Sequence, residues 1–436
     1  ARMTLTLYEY TQDIDYLKKT FPKLLNYFFS WLSSTHDRDM DGIPEWDQTI
    51  QTGYEENPHF SSIYPWSMGI DISSVESPDL ISYLYGECQA LCSIGERMGD
   101  DRTISLLDKI SNKLKTMVDN SWSDQQASYQ YRDRDSHISI PVEFLGRLNG
   151  SGIMEIHKEY QQAIRPFIHI KTKKEGTIPI QIYIHGTTPT GAHRIDHIPS
   201  HLIHWHHDSG FVTSVLIYKS LEQIQVTGIT NEVEVIAQAG CQKFLDQTLL
   251  LPLWVGIPSV EQAKIFINLT LMNKKRFLST YGIRSCIDNL EMSGLPDEFL
   301  SVSPLFMGLF IEGLVRYSEH KKAAELFTRL MKAVVSSFNI DLKFHQFYHS
   351  ETGKPMGAVN TLSSLIPIGS FYKTLGVKII NSSKVEITGR NPFPWPVTIK
   401  YRGLTVVQQD KKTLVIFPDG QNATVENNKS QIISLA

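Results

Sequence analysis

Helical periodicity dominates two long stretches of this chain, and it most constrains what the chain can fold into. Between Thr11 and Ser34, apolar side chains recur on one broad face, which predicts an amphipathic helix. The same spacing predicts helices over Pro78–Met98 and Thr103–Ser121, with Gly99 ending the first of them. Later helices are predicted over Asn231–Leu249, Val260–Met272, Pro304–Ser318, Lys321–Phe338 and Thr361–Leu375. Helices of this length, one after another, favour a paired α/α arrangement.

Two regions interrupt the helical pattern and are rich in β-branched and aromatic residues. Runs such as Phe167–Lys171 and Ile178–Ile184 lie between turn residues and predict a β-rich insertion. From Lys384 onward, short alternating runs around an Asp419-Gly420 turn predict a C-terminal β segment. We therefore expect two helical parts, each followed by a β-rich part, with the boundaries 1–160, 161–230, 231–380 and 381–436.

Composition narrows the class of partner. The chain has 436 residues, of which 41% are hydrophobic and 20% charged, and its net charge is −4. This balance gives no basic patch for nucleic acid or an anionic membrane, and no apolar stretch is long enough to cross a bilayer. The four cysteines do not form the pattern of a disulfide framework, which favours a reducing compartment. We expect a cytoplasmic protein that binds neither nucleic acid nor membranes.

An acidic and aromatic loop, His36–Trp46, follows the first predicted helix, and the segment Thr52–Pro58 comes shortly after it. The second segment contains the adjacent carboxylates Glu55 and Glu56. Carboxylates beside aromatic rings suit a site that protonates a sugar oxygen while a ring stacks on the sugar. A solvated acidic surface explains the same residues, so the residue pattern alone leaves both interpretations open.

The acidic loop also allows a metal site. Asp37, Asp39 and Asp41, followed by Gly42, match the opening of a calcium-binding loop. The twelfth position of such a loop is Gln48 here, so its usual bidentate glutamate is missing. A turn held by its own side chains accounts equally for the aspartates. Calcium therefore stays an alternative, and no other cofactor is expected.

Several segments, in order along the chain, resemble the α/α-toroid glycosidases. These include the mannosyl-oligosaccharide glucosidases, the mannosylglycerate and glucosylglycerate hydrolases, and the glucosidase part of glycogen debranching enzymes. Asp39–Trp46 is similar to their Asp-Gly-Asp-Gly-Leu-Pro-Glu-Trp loop, and Thr52–Pro58 to their Ser/Thr-Gly-Leu-Asp-Asp/Asn-x-Pro motif. Phe344–Gly353 resembles a segment that ends in Tyr-x-x-x-Thr-Gly. The resemblance continues through Asp79–Asp100, Leu251–Ile257 and Tyr281–Ser285.

This resemblance implies a mainly α chain with an (α/α)6-type toroid, to which the residue pattern adds the β insertion and the C-terminal β segment. A six-hairpin toroid needs twelve helices, whereas periodicity predicts roughly eight. We therefore expect a toroid that is incomplete at its N-terminus, so that a preceding segment or a partner chain supplies the missing helices.

The resemblance also implies an inverting α-glucosidase that acts on oligosaccharides or small glucosides through a general acid and a general base. Glu55 falls at the general acid, where the family has an aspartate. The base position falls on Gln346, whose amide cannot accept a proton from water near neutral pH. Glu351, in the same segment, and Glu312, on a predicted helix, are the alternative bases.

Further side chains are expected to contact the carbohydrate substrate: Trp46, Tyr54, Glu56, Trp66, Gln346 and Tyr348. The amide at the base position also leaves a second hypothesis open. In that hypothesis the chain is a catalytically degenerate carbohydrate-binding or structural subunit of a larger glycosidase assembly.

Overall fold

A computed structural model describes residues 1–54, 57–64, 66, 69–173, 175–287, 297–426 and 430–435. Its helices form an N-terminal group and a group in the second half of the chain. The first group comprises α1 (Arg2–Thr11), α2 (Ile14–Trp31), α3 (Pro58–Ile63), α4 (Pro78–Met98) and α5 (Asp101–Asn120). The second comprises α6 (Leu251–Val255), α7 (Val260–Phe266), α8 (Pro304–Arg316), α9 (His320–Asp341) and α10 (Ile368–Leu375).

Helix α4 is buried along most of its length, and local signals fix both of its ends. Pro78 occupies the first turn, where its fixed φ suits a helix and its missing N–H costs nothing. Gly99 ends the helix with φ +71°, a conformation that glycine adopts without steric cost. The Asp100 side chain then accepts a hydrogen bond from the Thr103 N–H at 3.1 Å and starts α5. The prediction of a helix over Pro78–Met98 is confirmed.

The two helical groups share one hydrophobic core, which also takes in side chains of the C-terminal strands. Close approach between α6 and α8 depends on Gly313. A Cβ at that position would lie 3.1 Å from the backbone nitrogen of Trp254. A side chain at Gly313 would therefore push α8 and α6 apart by a few tenths of an ångström at their crossing.

The β-rich region consists of two antiparallel sheets with a hydrophobic core of their own, formed by residues such as Ile168, Ile184 and Ile224. One sheet has the strand order His204–His206, Ser209–Thr213, Pro166–Lys171, Glu234–Ala239 and Glu143–Asn149. The other has the order Gly152–Ile164, Tyr218–Thr227, Gln181–Thr187 and His193–Pro199. The strands thus span a wider range than the expected insertion over 161–230.

Smaller antiparallel sheets complete the described part of the chain. The C-terminal segment forms one sheet of Val377–Asn381, Lys384–Ile387 and Gln431–Ser434, and a second of Val397–Tyr401, Leu404–Gln408, Lys412–Ile416 and Asn422–Glu426. A three-stranded sheet of Ser301–Val302, His345–His349 and Pro355–Val359 lies between the helices of the second group in sequence. Two-stranded pairs are Val75–Glu76 with Arg132–Asp133, Trp122–Ser123 with Ser128–Tyr129, and Leu245–Asp246 with Cys286–Ile287.

The prediction of a mainly α chain was wrong. The structure is about 36% helical and 30% strand, with many antiparallel sheets. One cause is the segment Asn231–Leu249, for which a helix was predicted. Its residues Glu234–Ala239 instead form a central strand that pairs with both Pro166–Lys171 and Glu143–Asn149. Buried and half-buried residues alternate along this strand, and that two-residue period is the signature of a sheet.

Within the described ranges, no helix combines the length and the apolar character that crossing a bilayer requires.

Candidate active site

A cavity of about 360 Å³ lies where the Thr52–Pro58 segment approaches the three-stranded sheet. Its described lining combines aromatic rings, small hydroxyl groups and one amide. The lining residues are Gly53, Tyr54, Ser301, Ser303, Leu305, Phe306, Gln346, Phe347, Met356, Gly357 and Ser363. Two segments that the family resemblance singled out, far apart in sequence, therefore meet at one cavity.

Local backbone chemistry positions the first wall. A 3-10 turn over Thr49–Thr52 ends at Gly53, whose φ of +70° favours glycine. Thr52 Oγ1 accepts a hydrogen bond from the Tyr54 N–H at 2.9 Å. The Tyr54 ring is 5% exposed and packs edge-on against Phe306, with ring centroids 5.3 Å apart. This turn carries the chain into the cavity immediately before Glu55.

Burial raises the pKa of the Tyr54 hydroxyl well above its usual value, and the nearby Asp246 carboxyl adds to the rise. Tyr54 is therefore neutral at physiological pH. It can donate one hydrogen bond but cannot act as a base. Glu55 and Glu56, which follow it, lie outside the described residues. The description resumes at Asn57, whose side chain accepts a hydrogen bond from the Phe60 N–H at 3.0 Å and caps α3.

The opposite wall carries Gln346 on the strand His345–His349. Its Oε1 accepts a hydrogen bond from the Ala358 N–H of the neighbouring strand at 3.2 Å. That contact fixes which end of the amide is oxygen and leaves the NH₂ group as the polar end. Tyr348, two residues on, is fully buried, and its hydroxyl accepts a hydrogen bond from the His345 N–H at 3.3 Å. Gln346 lines the cavity, whereas Tyr348 supports the strand from behind.

The two alternative bases have partners elsewhere, and neither is among the described lining residues of the cavity. Glu351 Oε1 accepts a hydrogen bond from Arg284 Nη2 at 2.9 Å, and Oε2 accepts one from Thr280 Oγ1 at 2.6 Å. Glu351 therefore links its loop to Thr280 and Arg284. Among the residues described as lining the cavity there is no carboxylate.

Glu312 lies on α8 among positively charged groups. Its Oε1 is 2.8 Å from Lys373 Nζ. Its Oε2 accepts a hydrogen bond from Trp254 Nε1 at 3.2 Å and lies 3.7 Å from Arg2 Nη2. The carboxylate thus joins α8, α10 and α1 by charge pairing.

The two tryptophans expected to contact sugar occupy different environments. Trp46 is 4% exposed; its Nε1 donates a hydrogen bond to Asp79 Oδ1 at 3.0 Å, and its ring packs edge-on against Trp31. A ring buried in this way offers no face to a ligand. Trp66 is half-buried and packs edge-on against His206, with centroids 4.9 Å apart. It therefore contacts the β-rich region.

The acidic loop brings its three aspartates together. Asp37, Asp39 and Asp41 each offer a carboxylate oxygen, and these oxygens lie within 4.8 Å of one another. Asp37 Oδ2 accepts a hydrogen bond from the Gly42 N–H at 2.8 Å, and Asp41 Oδ1 accepts one from the Ile43 N–H at 2.7 Å. Burial and the Asp41 charge raise the pKa of both Asp37 and Asp39. The loop is a self-bonded turn that also concentrates negative charge.

Glu45 is a residue that the sequence interpretation missed. It is fully buried, and neither carboxyl oxygen has a hydrogen-bond partner within the described part of the chain. Burial raises its pKa to about 9, and the Asp39 charge adds to the effect. Its place in the Pro44-Glu45-Trp46 sequence is the signal that could have indicated it.

A further buried acid lies behind the first wall of the cavity. Asp246 accepts hydrogen bonds from the hydroxyls of Tyr131, at 2.6 Å, and Thr248, at 2.6 Å. Burial raises its pKa to about 6, while these hydrogen bonds act in the opposite direction. Asp246 is fully buried and its hydrogen bonds go to Tyr131 and Thr248, while its charge acts on the Tyr54 hydroxyl.

Residues 1–148 match the family model described as mannosylglycerate hydrolase MGH1-like glycoside hydrolase domain. This range contains the acidic loop and the Gly53-Tyr54 turn. No curated protein sequence matches the chain significantly.

Solved structures resemble this one at low sequence identity. The GH63 mannosylglycerate hydrolase from Thermus thermophilus in complex with glucose has a TM-score of 0.50 and 12% identity, over 85% of this chain and 72% of that one. Its complex with Tris and D-glycerate gives 0.50 and 12%, over 85% and 75%. A structure titled sialidase gives 0.53 and 11% identity over 97% of this chain, which spans only 30% of that protein.

At such identities, the structural likeness shows a shared fold and no more. The match over residues 1–148 adds a similarity at the level of sequence. Together they confirm that this chain resembles the α/α-toroid glycoside hydrolases, with the sequence similarity to the MGH1-like domain limited to residues 1–148.

Proposed function

We propose that this chain is a glycoside hydrolase of the inverting α-glucosidase type, acting on oligosaccharides or small glucosides in the cavity between Tyr54 and Gln346. One observation carries the proposal. The turn that precedes Glu55 and the strand that holds the family's base position line the same cavity. The family match supports it, because residues 1–148 include this turn.

In the proposed reaction, Glu55 protonates the leaving oxygen of the glycosidic bond. An inverting enzyme also needs a carboxylate about 6.5–9.5 Å away to activate water on the other face of the sugar. By the family resemblance, the base position falls on Gln346, whose amide oxygen accepts a hydrogen bond from the Ala358 N–H at 3.2 Å. Its NH₂ group can donate to a sugar hydroxyl or orient a water, but it cannot take up the proton. The proposed hydrolysis therefore requires a carboxylate outside the described lining residues to accept the proton of the attacking water.

The same amide favours a second candidate function, a carbohydrate-binding chain without hydrolytic activity. Gln346 would keep the polar contact to the sugar while removing the base. Phe306, Phe347 and the neighbouring serines would still bind a sugar ring by packing and hydrogen bonding. In this alternative the chain works as a degenerate subunit of a larger glycosidase assembly.

The decisive experiment compares wild type, Glu55→Gln and Gln346→Glu in hydrolysis and calorimetric binding assays. The substrates are glucosylglycerate, mannosylglycerate and malto-oligosaccharides. Wild-type turnover that Glu55→Gln abolishes while sugar binding persists would support the hydrolase. Binding without turnover, together with turnover gained by Gln346→Glu, would support the degenerate binder. Absence of both binding and turnover in the wild type would contradict both functions.

Two further expectations remain proposals. The structure describes all four cysteines and contains no disulfide between them, which supports a reducing compartment such as the cytoplasm. A preceding segment or a partner chain would supply further helices, and native mass spectrometry of the assembled protein would reveal a partner. A stable monomer with full activity would remove the need for one.

A further inference from the structure

A second cavity, of about 540 Å³, lies between α9 and the loop that joins the strands Lys384–Ile387 and Val397–Tyr401. The loop residues 392–395 form one wall, and one face of α9 forms the other. None of its described lining residues also lines the cavity of Tyr54 and Gln346. The two cavities are therefore separate sites.

The loop holds its residues in a fixed arrangement. Proline occupies every second position over 392–396, and each proline ring restricts φ. Phe393 is 7% exposed and packs against Phe371, with ring centroids 5.4 Å apart. Asn391 Nδ2 donates a hydrogen bond to the Trp395 carbonyl at 2.7 Å, and Asn391 Oδ1 accepts one from the Phe393 N–H at 3.0 Å. The backbone that carries Trp395 is therefore held in place by contacts within the chain.

Trp395 lines the cavity with an open aromatic ring. All seven tryptophans lie within the described residues, and Trp395 alone is exposed, at 49%. A ligand ring that stacks on this indole would cover apolar surface that water now contacts. Because the loop is already held, such stacking costs little conformational entropy. The apolar face of a sugar ring suits an indole presented in this way.

The opposite wall carries an excess of positive charge. Its described residues include three cations, Lys321, Arg329 and Lys332, and one carboxylate, Glu325. Arg329 Nη2 is 2.8 Å from Glu325 Oε1, and Arg329 Nη1 donates a hydrogen bond to the Thr280 carbonyl at 3.1 Å. Lys321 and Lys332 have no ion-pair partner among the described residues. Arg329 is therefore used within the fold, whereas the charges of the two lysines remain for a ligand.

A carboxylate at the same wall has a cation of its own. Glu351 Oε2 accepts a hydrogen bond from Thr280 Oγ1 at 2.6 Å, but Glu351 Oε1 pairs with Arg284 Nη2 at 2.9 Å. Lys321 and Lys332 are eleven residues apart on α9, which separates their backbones by about 16 Å along the helix axis. A ligand that contacts both lysines must therefore be extended and carry more than one negative group.

We propose that this cavity binds an acidic oligosaccharide, whose carboxylates contact Lys321 and Lys332 and one of whose rings stacks on Trp395. A chain of uronic-acid units combines the two features that the walls require, apolar ring faces and repeated negative charge. A nucleotide combines a ring with negative charge as well, but the similarity to a glycoside hydrolase domain favours a sugar. The inference does not depend on whether the cavity of Tyr54 and Gln346 hydrolyses its ligand.

The test measures binding to the full chain by calorimetry and by tryptophan fluorescence. The probe is tetragalacturonate, with maltotetraose as the neutral sugar of equal length and ATP as the nucleotide. Tetragalacturonate should bind at one site per chain with a Kd below about 1 mM. Raising the salt from about 0.02 M to about 0.5 M should weaken this binding several-fold, because the lysine charges are exposed and screened. Binding of maltotetraose should not depend on salt.

Two variants and two controls assign the site. Trp395→Ala should weaken tetragalacturonate binding at least about tenfold. The double variant Lys321→Gln/Lys332→Gln should weaken it by a similar factor and remove most of its salt dependence. Tyr27→Ala, at an exposed aromatic residue of α2, and Lys109→Gln, at an exposed lysine of α5, should leave the binding unchanged. The Tm of each variant shows that it is folded.

Two kinds of result would overturn the proposal. One is a wild type that does not bind tetragalacturonate at millimolar concentrations, or binding that Trp395→Ala and the double lysine variant leave unchanged. The other is a different ligand for the same cavity. If Trp395→Ala weakens maltotetraose binding as much as tetragalacturonate binding, the site does not select for charge. If ATP binds more tightly than tetragalacturonate and depends on Trp395, the cavity is a nucleotide site.

Discussion

The acidic loop and the cavity form an instructive contrast. The loop contains Asp37, Asp39, Asp41 and Glu45 within a few residues, whereas no carboxylate lies among the described lining residues of the cavity. The sequence made the loop look like the place of catalysis. The structure shows a loop whose acids face one another and a cavity whose described polar groups are hydroxyls and an amide. A high density of acids along a sequence therefore indicates charge that must be balanced, and does not by itself locate the reacting groups.

The largest expected effect separates these two regions by function. Glu55→Gln should lower the kcat of hydrolysis by about 10²–10⁴-fold, because that is the usual contribution of a general acid. Asp39→Asn, in the acidic loop, should leave kcat at saturating substrate nearly unchanged. Steady-state kinetics of both variants check this, and an equal loss of kcat in the two variants would show that the regions are not separable.

Acid should destabilise the helical region behind the cavity. His59 on α3 stacks on Tyr131 with ring centroids 3.9 Å apart, and burial lowers its pKa from 6.5 to about 3. The unfolded chain therefore binds a proton between about pH 6.5 and pH 3 that the folded chain does not. The contribution of neutral His59 to the free energy of unfolding is complete above pH 6.5. It is lost as the pH falls from about 6.5 to about 3.

The measurement is the free energy of unfolding in urea at pH 7 and pH 4.5, for wild type and His59→Phe. The decrease between the two pH values should be smaller in the variant, by on the order of 1–3 kcal/mol. The matched control site is His169 in the β-rich region, where burial also lowers the histidine pKa, to about 4. If His59→Phe leaves the pH dependence as it was, the buried neutral histidine is not its source.

A smaller effect concerns the network behind Tyr54. The Tyr131 hydroxyl donates to Asp246 Oδ2 at 2.6 Å and lies 2.8 Å from Thr248 Oγ1. Tyr131→Phe removes this donor from a fully buried carboxyl group, and it should cost about 1–3 kcal/mol of stability. Urea unfolding at pH 7 measures the cost. A cost below about 0.5 kcal/mol would mean that Thr248 alone satisfies Asp246.

The smallest expected effect concerns the backbone at the entrance to the cavity. Gly53 has φ +70° with open space around the position of a Cβ, so Gly53→Ala should cost only the backbone strain of about 1 kcal/mol. Gly389 also has open space but no such φ, and Gly389→Ala should be neutral within about 0.5 kcal/mol. Equal effects of the two substitutions on the Tm would show that the Gly53 conformation is not strained for alanine.

Local signals predicted much of the helical architecture. The bounds of Pro78–Met98 follow from a proline at the start, a glycine at the end and apolar residues at helical spacing. The prediction failed over Asn231–Leu249, where apolar residues alternate closely enough to suit either period. Pairing with Pro166–Lys171, a strand distant in sequence, decided in favour of the sheet. The burial of the Trp46 ring likewise depends on contacts that the local sequence does not record. Trp46 belongs to the core because it packs against Trp31 and donates a hydrogen bond to Asp79.

By itself, the sequence determined the acidic loop with its calcium-like spacing, the glycine turn before Glu55 and the amide at the family's base position, because each depends on residue type and local order. Only the tertiary structure decided that Tyr54 and Gln346 share a cavity, and that Glu351 and Glu312 pair with positively charged groups elsewhere. It also decided that Glu45 is buried without a partner among the described residues. The physical reason is that burial, desolvation and charge pairing are properties of contacts between distant segments, which no local pattern records.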